Sequence, residues 1–145
     1  IALFIGFPMY YVGLSDTLIG YTVVSMTTGF VIAVVFQLAH VVEAVTFVEK
    51  TPPITSVEAD WATHQIQTTA NFGTKSKFLA WMLGGLNFQV EHHLFPRISH
   101  VHYPALNKIV RETCEKFGVQ YNEYGTVFAA VRSHTRHLKT MGIAD

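Results

Sequence analysis

The sequence predicts an all-α protein: integral membrane helices followed by a helical part outside the bilayer. Three observations carry this. Half of the 145 residues are hydrophobic and only 14% are charged. The charges are segregated, with Asp16 the only one before Glu43 and all ten Lys and Arg from Lys50 onward. The later segments show helical spacing bounded by Pro and Gly rather than the strict alternation of strands. Residues 1–42 therefore read as a transmembrane hairpin, the end of one span plus one full span, and residues 43–145 as a cytoplasmic and interfacial helical part. The basic residues place that part on the cytoplasmic side by the positive-inside rule. The single cysteine, Cys114, excludes an intrachain disulfide and suits a reducing compartment.

Ile1 to Leu14 is apolar but too short to cross a bilayer, and is expected to be the end of a truncated span. Gly13-Leu14-Ser15-Asp16 reads as a turn. Leu18 to Ala39 is free of charge for twenty-two residues, about 33 Å of helix and enough to span a hydrocarbon core. Gly20, Ser25, Thr27, Thr28 and Gly29 are small residues of the kind that let membrane helices approach closely. The span ends in Phe36-Gln37-Leu38-Ala39-His40, with a histidine at its mouth; ionisable groups at such depth are costly and usually functional. Gln37, one turn earlier on the same face, is placed to hold His40 or a metal-bound water, or to bond a neighbouring helix.

From Glu43 to Lys77 the sequence is polar, with Thr51-Pro52-Pro53 as a break. Val57 to Asn71 reads as a helix bearing Trp61, His64, Gln65, Thr68 and Asn71 at three-and-four spacing. His64 is expected to be a surface group or to stand behind a ligand, and Asn71 to face the site or a substrate head group. Phe78 to Leu83, introduced by Lys75 and Lys77, fits a short interfacial helix dipping into the headgroup layer. Gly84-Gly85 permits a tight bend.

The most informative stretch is Gln89-Val90-Glu91-His92-His93-Leu94-Phe95-Pro96. As a helix, it brings Gln89, His92 and His93 to one face. Glu91 points the other way, where it can bind and orient a ligand imidazole from behind. Pro96 should end the helix near Leu94. His100 and His102 would share a face if extended, and are read as part of a polar covering loop. Pro104 fits the first position of a helix running to Gly118, with Leu106, Ile109, Val110, Thr113 and Phe117 as its apolar stripe. A second amphipathic helix is expected around Val127 to Leu138, with His134 and His137 on its surface.

Gly84 to Pro96, taken whole, resembles the third histidine box of membrane fatty acid desaturases, and more narrowly that of the front-end group, in which glutamine replaces the first histidine. Trp61 to Asn71 resembles the W-x-x-H-Q-x-x-x-T-x-N segment of bacterial members. His40 matches a histidine that the family supplies from the helix before this box. The family's first two boxes, HxxxH and HxxHH, do not occur in the sequence, so the chain is expected to be the C-terminal part of such an enzyme and inactive alone. The resemblance implies a non-haem centre of two iron ions with His40, Gln89, His92 and His93 among its ligands, the others lying outside this sequence. It implies oxygen-dependent introduction of a cis double bond into a polyunsaturated acyl chain.

The implied partners are membrane lipid, an acyl-lipid or acyl-CoA substrate, and an electron donor of the b-type cytochrome or ferredoxin kind, with no nucleic acid. A bacterial inner membrane is expected rather than endoplasmic reticulum. Imidazole donors alone do not choose among iron, copper, nickel and zinc. A membrane hydroxylase or monooxygenase with the same ligands, and a non-enzymatic membrane domain with structural histidines, are the alternatives. A zinc hydrolase is disfavoured, since neither HExxH nor HxxEH is present.

Overall fold

The computed structural model describes residues 2–45 and 57–143. The Thr51-Pro52-Pro53 break and Lys50 lie outside the described residues. The chain forms two compact units, Ile1–Val34 and Val35–Asp145, and the expected all-helical character is borne out.

In the first unit a π-helical turn, Ala2–Gly6, leads into α1 (Phe7–Val12), which begins with Pro8 in its first turn. Gly13 breaks the helix with φ of +85°, a conformation that costs a glycine little. The carbonyl of Gly13 then accepts from both the amide and the hydroxyl of Thr17, the latter at 2.7 Å. Helix α2 (Leu14–His40) therefore starts at once, and the anticipated turn over Gly13 to Asp16 contracts to Gly13 alone. At 27 residues α2 is about 40 Å long, longer than the predicted Leu18 to Ala39. It is apolar on every side, with Leu18, Ile19, Val23, Val24, Met26 and Phe30 all exposed. That is the pattern of a helix made for lipid rather than for water.

The second unit gathers the last turns of α2 with α3 (Val57–Gln67), β1 (Asn71–Phe72), α4 (Lys77–Met82), α5 (Gln89–Leu94), α6 (Tyr103–Phe117), β2 (Glu123–Tyr124) and α7 (Val127–Met141). Ile66, Val90, Val110 and Cys114 form one core, flanked by Leu94, Phe95, Val119 and Tyr121. Val42, Val45 and Ala70 form another, against Tyr124. The end of α2 is tied in by backbone and side chain: Ala70 N–H donates to the Ala39 carbonyl at 2.8 Å, and His134 Nδ1–H to the Val41 carbonyl at 2.6 Å. His134 is thus half-buried and anchoring rather than a surface residue, and His137 is half-buried as well.

The helix expected from Val57 to Asn71 stops at Gln67. Asn122 Nδ2 reaches the carbonyls of Ile66, Gln67 and Thr69 at 3.2–3.4 Å, satisfying groups left open by a helix end. Asn71 instead pairs in parallel with Glu123, and Phe72 with Tyr124. A pairing with residues 52 positions away overrides the local helical period. In α6, Pro104 and the left-handed Gly118 (φ +67°) bound the helix as expected, but its buried face is rotated. Tyr103, Val110 and Cys114 are buried while Ile109 and Phe117 are 59% and 72% exposed. The reason is polar: this rotation delivers Asn107 and Tyr103 to the groups around α5.

Candidate metal centre

Helix α5 is short and held from outside. Asn71 Oδ1 accepts from Val90 N–H at 2.9 Å, capping its first turn, and Phe95 N–H closes the last turn onto the Glu91 carbonyl at 2.9 Å before Pro96. The entry to α5 requires glycine: Gly84 and Gly85 have φ of +56° and +80°. A Cβ on Gly85 would lie 2.6 Å from His100 Cβ and 3.0 Å from the Tyr103 ring.

On the side of α5 away from Glu91 stand the residues singled out in the sequence, Gln89 buried and His92 and His93 half-buried. The His93 ring lies 5.1 Å from that of His40 and 5.9 Å from that of His92, centre to centre. Gln89 Nε2 is 3.2 Å from His93 Nε2. The end of α2 and the last turn of α5 thus bring His40, Gln89, His92 and His93 together. Each imidazole uses Nδ1 for a bond to the protein: His93 to Gln65 Oε1 at 2.7 Å, His92 to the Tyr103 hydroxyl at 3.2 Å, His40 to the Thr68 carbonyl at 3.4 Å. The Gln65 and Thr68 oxygens only accept, so Nδ1 of His93 and of His40 is the donor in these bonds.

Burial, and then the neighbouring His40 and His92, push the His93 pKa down to about 4. It is neutral at physiological pH, as a metal ligand must be. This donor set fits iron, for which neutral imidazole is a suitable ligand. Among the described residues, however, no three His, Cys, Asp or Glu side chains by themselves close a metal site.

Glu91 faces away from the imidazoles, as the helical wheel requires, but it orients none of them. Its carboxylate is fully buried and accepts from Asn71 Nδ2 at 2.6 Å, the Tyr121 hydroxyl at 2.8 Å and Asn107 Nδ2 at 3.5 Å. Desolvation raises its pKa against the lowering effect of these bonds, and burial, followed by the nearby Glu91 carboxylate, raises those of Tyr121, Tyr103 and Cys114. Asn71 is buried beside it rather than at a substrate surface. Gln37 and His64 are exposed, and the Gln37 side chain makes no hydrogen bond to His40. His100 and His102 form an exposed 3₁₀ turn rather than a strand. The residues that do orient the imidazoles, Gln65, Tyr103 and Thr68, carried no local signal of that role beyond the place of Gln65 and Thr68 on the polar stripe.

The fold and this cluster define a helical protein with a long apolar helix whose C-terminal end meets an imidazole group on a glycine-entered turn. Residues 1–125 match the fatty acid desaturase family, and the chain belongs to that family, whose fold is integral to the membrane and whose members are in general di-iron proteins. It is 46% identical over 130 residues to an sn-1 linoleoyl-lipid 6-desaturase of Synechocystis sp., covering 90% of this chain and 36% of that protein. It is 45% identical over 125 residues to an acyl-lipid (8-3)-desaturase of Physcomitrium patens, covering 86% and 26%. With an acyl-lipid (8-3)-desaturase of Mortierella alpina it shares 34% identity over 140 residues, covering 94% and 30%. The chain therefore spans about a third of the length of the curated relatives it matches. No solved structure matches it.

Proposed function

We propose that the protein containing this chain is a front-end acyl-lipid desaturase, and that His40, His92 and His93, with Gln89 as a weaker fourth group, are its contribution to a di-iron centre. The observation that carries the reading is the placement of three imidazoles, each bonded through Nδ1 to the protein, around one glutamine at the end of a lipid-suited helix. The other ligands come from parts of the relatives' length that this chain does not cover.

When bound, the two irons supply activation of dioxygen, which with two electrons and two protons from a donor takes two hydrogens from neighbouring methylenes and ends as two waters. This chain's own residues hold and orient ligands. Gln65, Tyr103 and the Thr68 carbonyl fix the rings, and Asn71 and Glu91 fix the helix that presents them. The apolar α2 leads an acyl chain of a membrane lipid toward the site. Phe78, Trp81 and Met82, exposed on α4 beside Lys75 and Lys77, rest in the headgroup layer. The basic part faces the cytoplasm, where a b-type cytochrome or ferredoxin delivers electrons; the substrate is a linoleoyl-type lipid, the kind named for the Synechocystis relative, and the membrane is a bacterial inner membrane.

The test is to express the full-length protein in a host supplied with linoleoyl lipid, and to measure iron content and fatty acid profile together. Two irons per chain and a new cis double bond on the carboxyl side of the existing ones are expected. A hydroxylated product, or zinc in place of iron, would overturn the assignment.

A further inference from the structure

We infer that Gln65 is the positioning residue for His93, setting which nitrogen of that imidazole is free for metal and which way the ring turns. This rests on the reading of His93 as an iron ligand. Gln65 Oε1 lies 2.7 Å from His93 Nδ1. An amide oxygen has no hydrogen to give, so the ring must donate, and the neutral imidazole then has its lone pair on Nε2. Gln89 Nε2 lies 3.2 Å from His93 Nε2 on the other side, a donor facing an unprotonated nitrogen, which agrees with the same tautomer; that contact must yield for Nε2 to take a metal. Were Nδ1 left bare, Nε2 would carry the proton and the ring would turn a donor toward the place where a ligand must accept.

The position of Gln65 is itself determined by packing. Its neighbour Ile66 is buried in the core with Val90, which locks α3 against α5. Asn122 holds the carbonyls of Ile66, Gln67 and Thr69, so the last turn of α3 cannot slide. The carboxylate best suited by charge to orient an imidazole, Glu91, is engaged with Asn71, Tyr121 and Asn107. Among the described residues Gln65 alone reaches His93 Nδ1. Its role is to hold the ring, not to touch metal or substrate.

The experiment uses the full-length, iron-loaded protein in detergent and reads the rate at which ferrous iron passes to a bipyridyl chelator, with thermal unfolding of the metal-free protein as a folding control. Gln65→Leu, similar in size but without an acceptor, should release iron about 10- to 100-fold faster, the usual effect of losing such a partner. Gln65→Glu keeps an acceptor and strengthens it, and should release iron more slowly than the wild type. Release from Gln65→Leu at the wild-type rate, or equal acceleration in both variants, which is the mark of a packing role, would overturn the inference. If Gln65→Leu does not fold, Gln65→Glu decides alone, and a rate at or above wild type overturns it. His93→Ala separates the two levels. Full iron retention there removes His93 as a ligand and the inference with it, whereas iron loss there with retention in Gln65→Leu removes only the role of Gln65.

Discussion

Asn71 donates to Glu91 Oε2 at 2.6 Å while its own Oδ1 accepts from Val90 N–H at 2.9 Å. One side chain thus grips α5 by both its backbone and its buried acid. Replacing Asn71 by Leu leaves the Val90 amide and a carboxylate oxygen short of partners inside the protein. Each such loss costs about 1–3 kcal/mol, so the variant should melt several degrees lower and lose iron although no ligand has changed. A thermal melt and iron assay on the same preparation check this.

Removal of ligands should have graded effects. Alanine at His40, His92 or His93 is expected to abolish desaturation and deplete iron. Gln89→Ala should lower activity strongly with a smaller loss of metal, because an amide oxygen is a neutral and weaker donor toward iron than imidazole. Iron content beside the fatty acid profile distinguishes these cases, and full activity of His92→Ala or His93→Ala would exclude a desaturase site here.

His93 should make the metal-free protein sensitive to acid. Its folded pKa is depressed to about 4 from the ordinary 6.5, so between those values the unfolded chain binds the extra proton. Stability attributable to this group is complete above 6.5 and lost as pH falls toward 4. Melting temperatures of wild type and His93→Gln across this window should converge at acid pH. Parallel curves would mean that His93 is not held neutral.

Gly85→Ala tests the tight approach to α5. The new methyl would have to displace His100 Cβ and the Tyr103 ring and adopt a left-handed backbone, at a cost of about 1–3 kcal/mol. Because Tyr103 meets His92, iron retention should fall along with stability. Gly84→Ala, with nothing within 4 Å, should pay for its φ alone and keep more iron.

The proposed topology predicts labelling. With buried Cys114 replaced, a cysteine at Asp16 should react with an impermeant thiol reagent from the periplasmic face, and cysteines at Lys108 or Arg136 only after the cytoplasmic face is opened. Periplasmic reaction at Lys108 would reverse the orientation.

The sequence made local features legible because their causes are local. Pro96 stops α5 at Leu94, Pro104 and Gly118 bound α6, and an uncharged run becomes α2. The gathering of Gln89, His92 and His93 on one face follows from helical spacing in the same way. What escaped was set by distant partners. Asn71 leaves the helix because Asn122 and Glu123 hold it. Ile109 and Phe117 remain outside because Asn107 and Tyr103 are wanted inside. The partner of the His93 ring is 28 positions back along the chain, and no periodicity links the two. Glu91 was given the correct direction and the wrong neighbour, since nothing near it in the sequence announces Tyr121.

The pairing of Asn71 with Glu123 also sets an order of assembly. It closes a loop that contains α4, α5 and α6, and Tyr121, which closes the acid network behind α5, lies almost at the far end of that loop. During synthesis every imidazole of this cluster is made before the phenol that steadies its helix. The proposed metal-binding face is therefore finished by sequence outside the proposed ligand set, and a chain halted before Tyr121 would carry Gln89, His92 and His93 on a helix without that anchor.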